Sequence, residues 1–172
     1  ILLALLFSIT TLFAQGIQYS LIDLNSQIGF DAFPADINNQ GQVVGFATQF
    51  GNAFIWENGT ITIIEPDAIA LAINDSGWVL VIGDSLLYLW KNGSTIELLP
   101  EPTGTVPVFE LLRFWDVNNL NNVILPLFSE VDSIFVGYHW QNGGWSPLAQ
   151  VSGFDSSVPT KINDNNDISG FY

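Results

Sequence analysis

The chain has 172 residues, 48% of them hydrophobic and only 12% charged: enough for one domain with a buried core, and too apolar for a disordered segment. Seventeen carboxylates face three basic residues, Lys91, Arg113 and Lys161, and the net charge of -14 excludes nucleic acid and anionic membrane surfaces as partners. With no cysteine there is no disulfide, no thiolate metal site and no cysteine nucleophile.

The chain opens on an apolar run, Ile1 to Phe13, broken only by Ser8, Thr10 and Thr11 and ended by Ala14. The run is shorter than the roughly 20 residues a membrane-spanning helix needs. It reads as the apolar region of a secretory signal, 1–14, with cleavage after Ala14. No initiator Met or basic stretch precedes it, and Tyr172 falls inside a repeat, so the sequence reads as a fragment of a longer product. Residues 15–172 are then the folded domain. It is expected to be extracellular or at the cell surface, with no membrane insertion once the signal is removed.

After the leader, Tyr19 to Leu24 reads as a strand, and one phrase then recurs. Ile37-Asn38-Asn39-Gln40-Gly41-Gln42-Val43 returns as Ile73-Asn74-Asp75-Ser76-Gly77-Trp78-Val79. Looser copies are Val117-Asn118-Asn119-Leu120-Asn121-Asn122-Val123 and Ile162-Asn163-Asp164-Asn165-Asn166-Asp167-Ile168. The asparagines are 36, 44 and 45 residues apart. A repeat at this period specifies the architecture before any single strand does. In each copy the Asn side chain is suited to bond backbone groups ahead of it, and Gly41 and Gly77 supply the last turn position.

Between the copies lie Trp56-Glu57-Asn58-Gly59, Trp90-Lys91-Asn92-Gly93 and Trp140-Gln141-Asn142-Gly143. Asn-Gly between β-rich segments predicts a two-residue hairpin, because a type I′ turn needs positive φ at both central positions. Ala53 to Trp56 and Thr60 to Ile64 flank the first turn, and the other two are built alike. Each unit therefore holds about four strands. Trp56, Trp90 and Trp140 are expected in equivalent core positions, as are Val43, Val79, Val123 and Ile168. The pattern predicts an all-β fold of antiparallel four-stranded repeat units, a partial β-propeller of three to four blades. With 15 Gly and 8 Pro and no 3.6-residue apolar period, no helix is expected after residue 15. Segments 100–107, 128–133 and 151–159 read as loops that lengthen particular units.

The run Ile37-Asn38-Asn39-Gln40-Gly41-Gln42-Val43-Val44-Gly45, then Asn52-Ala53-Phe54-Ile55-Trp56, then Glu57-Asn58-Gly59, resembles the HAF-type extracellular repeat of bacterial secreted proteins. Tyr19 to Leu24 is similar to the Asp-Leu strand that borders such repeats. The likeness extends from about Gln18 to Tyr172. Asn52 stands where that family has the His of its His-Ala-Phe triplet, and Asn121 and Asn166 stand where it has the turn glycine. The resemblance implies an extracellular β-propeller-like scaffold and transfers no catalytic residue.

Three kinds of chemistry are candidates. Asp36-x-Asn38-x-Gln40-Gly41 has the oxygen alternation of a calcium loop without its closing Glu, and Asn163, Asp164, Asn165 and Asp167 form the densest oxygen cluster, a candidate calcium site set against simple Asx-turn structure. His139 is the only histidine and sits in strand alternation, while Glu130 and Asp132 are the nearest thing to a glycosidase pair. Trp78, Trp115 and Trp145 fall outside the regular Trp positions and are candidates for stacking on sugar rings or a partner protein. No nucleophile elbow, phosphate loop or histidine metal motif is present. The leading reading is a secreted, non-enzymatic β-propeller-type module that binds a protein or glycan and needs no cofactor. A carbohydrate-active enzyme with its site on the variable loops is second, and a structural cell-surface repeat third.

Overall fold

The structure is a computed structural model that describes residues 20–172 apart from 30, 48–50 and 84–85, with only the backbone of Thr95 and Ile96. The leader 1–14 and Tyr19 lie outside the described residues. A short helix, α1 (Leu24–Ile28), comes first. Unit one is β1 (Ala32–Ile37), β2 (Val43–Ala47), β3 (Asn52–Glu57) and β4 (Thr60–Pro66). Unit two is β5 (Ala68–Ile73), β6 (Val79–Gly83), β7 (Leu86–Lys91) and β8 (Ser94–Leu98). Unit three comprises β9 (Thr105–Val106), a 3-10 helix (Phe109–Phe114), β10 (Asp116–Val117), β11 (Val123–Ser129), β12 (Ile134–Gln141) and β13 (Gly144–Pro147). Unit four is the pair β14 (Val158–Ile162) and β15 (Ile168–Phe171). Units one and two are antiparallel four-stranded meanders, and unit three is a meander of β10 to β13 with β9 paired alongside to β11.

The Asn-Gly hairpins form as their chemistry requires. Asn58 and Gly59 have φ of 48° and 84°, and Asn92-Gly93 and Asn142-Gly143 match them closely. Trp56, Trp90 and Trp140 occupy one register, opposite Val43, Val79 and Val123. Trp90 and Trp140 are buried. Trp56 is half-buried, and its indole donates to Gln27 Oε1 on α1 at 2.9 Å.

The repeated asparagines carry a common set of bonds. In each turn the Asn Oδ1 accepts the backbone N–H groups two and four residues ahead, and the Asn carbonyl accepts the N–H three ahead. The residue three ahead has positive φ in all four turns: Gly41, Gly77, Asn121 and Asn166. Asparagine tolerates the left-handed region better than any other residue with a Cβ, so the turn survives where its glycine is replaced.

The same side chains join the units. Asn38 Nδ2 donates to the Asn74 carbonyl at 3.1 Å, Asn74 Nδ2 to the Asn118 carbonyl at 2.8 Å, and Asn118 Nδ2 to the Asn163 carbonyl at 2.9 Å. One residue on, Asn39, Asp75, Asn119 and Asp164 form a second ladder of amide–carboxylate and backbone bonds. Asp36 Oδ2 accepts the Ile73 N–H of unit two at 2.9 Å, and Asp116 Oδ2 the Ile162 N–H of unit four at 2.9 Å. The ladders set the first strands of all four units beside one another.

The core lies between the sheets. One cluster joins Val44 and Ala53 of unit one to Ala70, Ile73, Val79 and Val81 of unit two. The other joins Leu80, Leu87 and Leu89 of unit two to Trp115, Val123 and Leu125 of unit three. Alternate side chains of a strand point to opposite faces, so the fully buried run Val79-Leu80-Val81 shows unit two covered on both. Burial of each such side chain is worth roughly 1.5–3 kcal/mol.

Two expectations are corrected. The strand over Tyr19 to Leu24 is not formed among the described residues: Ser20 to Asp23 is irregular and α1 starts at Leu24. Asp23 Oδ1 accepts the N–H groups of Asn25 and Ser26, and Gly29 ends the helix at φ 79°, so local capping outcompetes extension. The absence of helix after residue 15 is likewise overturned by α1 and by the 3-10 helix.

Candidate functional site

The first strands of units one, two and four each bulge at one residue, Ala35, Leu71 and Thr160, three before the turn asparagine. In unit three that position is Trp115, and the strand before it is split. β9 pairs with the far end of β11, β10 with its near end, and the inserted segment 107–115 carries the 3-10 helix between them. A cleft of about 460 Å³ opens where this helix faces Pro34, Ala35 and Phe46 of unit one across Ile69 and Leu71 of unit two. Phe109, Glu110, Leu112 and Arg113 of the helix form its other wall. Phe33, half exposed, stacks on Phe46 with ring centroids 5.1 Å apart, and Phe109 is 69% exposed.

The cleft is therefore an apolar floor with an aromatic rim and two charges on one helical turn. The Arg113 guanidinium lies 4.7 Å from the Phe114 ring centroid. Among the described residues the ion pair found is Lys161 with Asp116, and Arg113 has no carboxylate within ion-pair reach. Such an arrangement can hold an apolar body and orient a polar group at its rim. Among its described lining residues Glu110 is the one carboxylate and Arg113 the one base.

A second, polar hollow of about 220 Å³ lies at the turn end of the same strands, lined by Asp36, Asp75, Asp116, Asp164 and Lys161. Its groups are committed to the ladders. Backbone and side-chain donation from Asn39, with a further bond from Asn119, holds the Asp75 carboxyl below the usual carboxylate range. Burial pushes the Asp116 carboxyl up, against the Ile162 N–H and the Lys161 ammonium, with Asp36 adding to the rise.

The residues singled out from sequence fall elsewhere. Trp115 is 1% exposed in the core and offers no face to a sugar ring, so that assignment is corrected. Its indole N–H has no hydrogen-bond partner among the described residues. Trp78 is half-buried against the core, with the Lys91 ammonium 5.4 Å from its ring centroid. Trp145 donates to the Pro100 carbonyl at 2.6 Å and packs edge-on against Tyr138 and Trp140, tying unit three to the end of unit two.

The oxygen cluster of unit four is an Asx turn. Asn163 Oδ1 accepts from Asn165 and Asp167, Asn163 Nδ2 donates to Asp167 Oδ2, and both Asp164 oxygens accept from Asn119. Asn165 is exposed. No group of three His, Cys, Asp or Glu side chains among the described residues is placed to hold a metal. Glu130 and Asp132 sit on an exposed hairpin, where Asp132 Oδ2 accepts from Ser129 Oγ at 3.1 Å. His139 is half-buried, its Nε2 lacks a partner among the described residues, and burial holds its imidazole below the usual range.

Sequence reasoning missed Phe33, Phe46, Phe109 and Arg113. The only signal was negative: the first strand of unit three breaks the repeat. Comparison with protein-family profiles, curated proteins and solved structures finds no match.

Proposed function

We propose that the chain is a secreted binding module of β-propeller type, related to the HAF-type extracellular repeat, and that the cleft beside the 3-10 helix is its ligand site. The observation that carries the binding reading is the interruption of the repeat. Three units keep a bulged first strand; the third replaces it with a helical insertion, and the cleft lies between that insertion and its neighbours. Repeat scaffolds characteristically carry function where a loop departs from the repeat. The propeller reading draws on the repeat period and on first strands set side by side by the ladders. Secretion draws on the leader pattern alone.

The ligand group is an apolar side chain of a partner protein or the apolar face of a sugar, received by Phe46, which Phe33 backs, and by Phe109. A test uses 8-anilinonaphthalene-1-sulfonate as probe. Saturable binding is expected, and Ala35→Trp, which fills the cleft from an exposed bulge position, should abolish it. Equal binding to both proteins would discard the cleft as the site.

A further inference from the structure

A groove of about 480 Å³ lies at the turn end of the junction between units one and two, and it shares no residue with the cleft beside the 3-10 helix. Both walls belong to consecutive units. Gln42 and Glu57 of unit one stand on one side, and Lys91 and Asn92 of unit two on the other. The floor is Ile55, half-buried, and Trp90, which belongs to the core cluster on which Ile55 packs.

The next junction shows what this groove lacks. The residue four after the turn asparagine is Gln42 in unit one and Trp78 in unit two. Trp78 packs on the cluster that joins units two and three, with the Lys91 ammonium 5.4 Å from its ring centroid. At the first junction Gln42 Oε1 instead accepts from Asn38 Nδ2 at 2.7 Å, which draws that shorter side chain back to its own turn. Lys91, the residue after the hairpin tryptophan, has Glu57 as its counterpart in unit one. A cation suits the negative face of an aromatic ring, and a carboxylate does not. The groove therefore favours a ring that presents hydrogen-bond donors to Glu57 over an aromatic one.

Trp90 adds a donor at the floor. It is only 9% exposed, and its indole N–H makes no hydrogen bond among the described residues, whereas those of Trp56 and Trp145 donate to Gln27 and Pro100. Unlike the N–H of Trp115, it is not shut away in the core. A ligand that fits must offer an acceptor to this N–H, donors to Glu57 and an apolar face to Ile55. Each sugar hydroxyl both donates and accepts, and the C–H face of the ring is apolar. The net charge of -14 turns acidic sugars away. The volume lies within the roughly 300–1,000 Å³ of small-ligand sites.

We propose that this groove binds one ring of an uncharged glycan, with a sugar oxygen accepting from Trp90 Nε1 and sugar hydroxyls donating to the Glu57 carboxylate. The site is separate from the cleft beside the 3-10 helix and does not depend on it.

The labelled chain applied to an array of neutral and acidic oligosaccharides tests this. Binding to neutral members is expected. Gln42→Trp, which gives the first junction the ring that the second already has, should weaken it at least about tenfold. Trp90→Phe keeps the ring and removes the N–H, and should weaken it about three- to tenfold. In a heteronuclear NMR spectrum, the indole signal that Trp90→Phe removes should shift when the strongest-bound oligosaccharide is added. That oligosaccharide should not displace 8-anilinonaphthalene-1-sulfonate from the cleft, so the two sites stand or fall separately. Far-UV circular dichroism confirms that each variant is folded, with Trp90→Phe as the milder replacement. The proposal is overturned by an array without neutral binders, by undiminished binding in either variant, or by an unmoved Trp90 signal. Displacement of the probe would place the sugar in the cleft and overturn it too.

Discussion

The side-chain amide of Asn118 donates to the backbone carbonyl of Asn163 at 2.9 Å, across 45 residues of chain, while the Asn118 side-chain oxygen holds the N–H groups of Leu120 and Asn122 in its own turn. One buried side chain thus closes a turn and fastens two units. Asn118→Ala should cost about 2–4 kcal/mol, since it leaves turn N–H groups without an acceptor and removes the bond between units. Asn163→Ala, at an exposed turn whose amide reaches only its own Asp167, should cost about 1 kcal/mol or less. Urea denaturation of both variants measures the difference, and equal costs would dismiss the ladder as a source of stability.

Gly45 of β2 lies opposite Pro34 in the bulged part of β1. A Cβ at Gly45 would come 2.2 Å from the Phe33 carbonyl oxygen, and Gly170 meets the Val158 carbonyl oxygen at 2.5 Å in unit four. Gly45→Ala should therefore destabilise by about 1–3 kcal/mol through displaced backbone rather than lost burial. A thermal melt unchanged from that of the original chain would show that the strand yields freely.

Asn121 takes the left-handed conformation at φ 63°, where the first two units have glycine. Asn121→Gly should change stability by no more than about 0.5 kcal/mol, losing one bond from Asn74 and relieving the backbone. Asn121→Val should cost about 1–2 kcal/mol, because a β-branched side chain is strained there. The denaturant midpoints should fall in that order.

His139 is kept neutral by burial, with its folded-state pKa below that of the unfolded chain. Stability is then fully present above about pH 6.5, the unfolded value, and declines as pH falls below it because the unfolded state binds the proton more readily. His139→Gln should flatten that decline between pH 7 and 5. Chemical denaturation across this range measures it, and an identical slope in the variant would exonerate the histidine.

Much of this architecture is legible in the sequence because its turns are built from local chemistry. Asn58-Gly59 forces positive φ whatever surrounds it, and Asn38 bonds residues two and four positions away. What needs a neighbouring unit is not legible. Asp36 looks like the first ligand of a calcium loop until Ile73 is placed beside it, when it becomes the acceptor for a backbone N–H one unit on. Trp115 looks irregular and available, but it sits at the bulge position of a split strand and is driven into the core. Phe109 and Arg113 form part of a six-residue 3-10 helix with no apolar period to announce it, so the cleft they border emerges only after three units are assembled.

The side-chain amides of Asn38, Asn74 and Asn118 donate in one direction, from each unit to a backbone carbonyl of the one after it. Loss of a following unit strands a buried donor, whereas loss of a preceding unit strands a carbonyl that its own turn still occupies. Orphaned N–H groups are tolerated less than under-used carbonyls. The stack therefore has a grain, and it should disassemble more readily when peeled from unit one than when peeled from unit four.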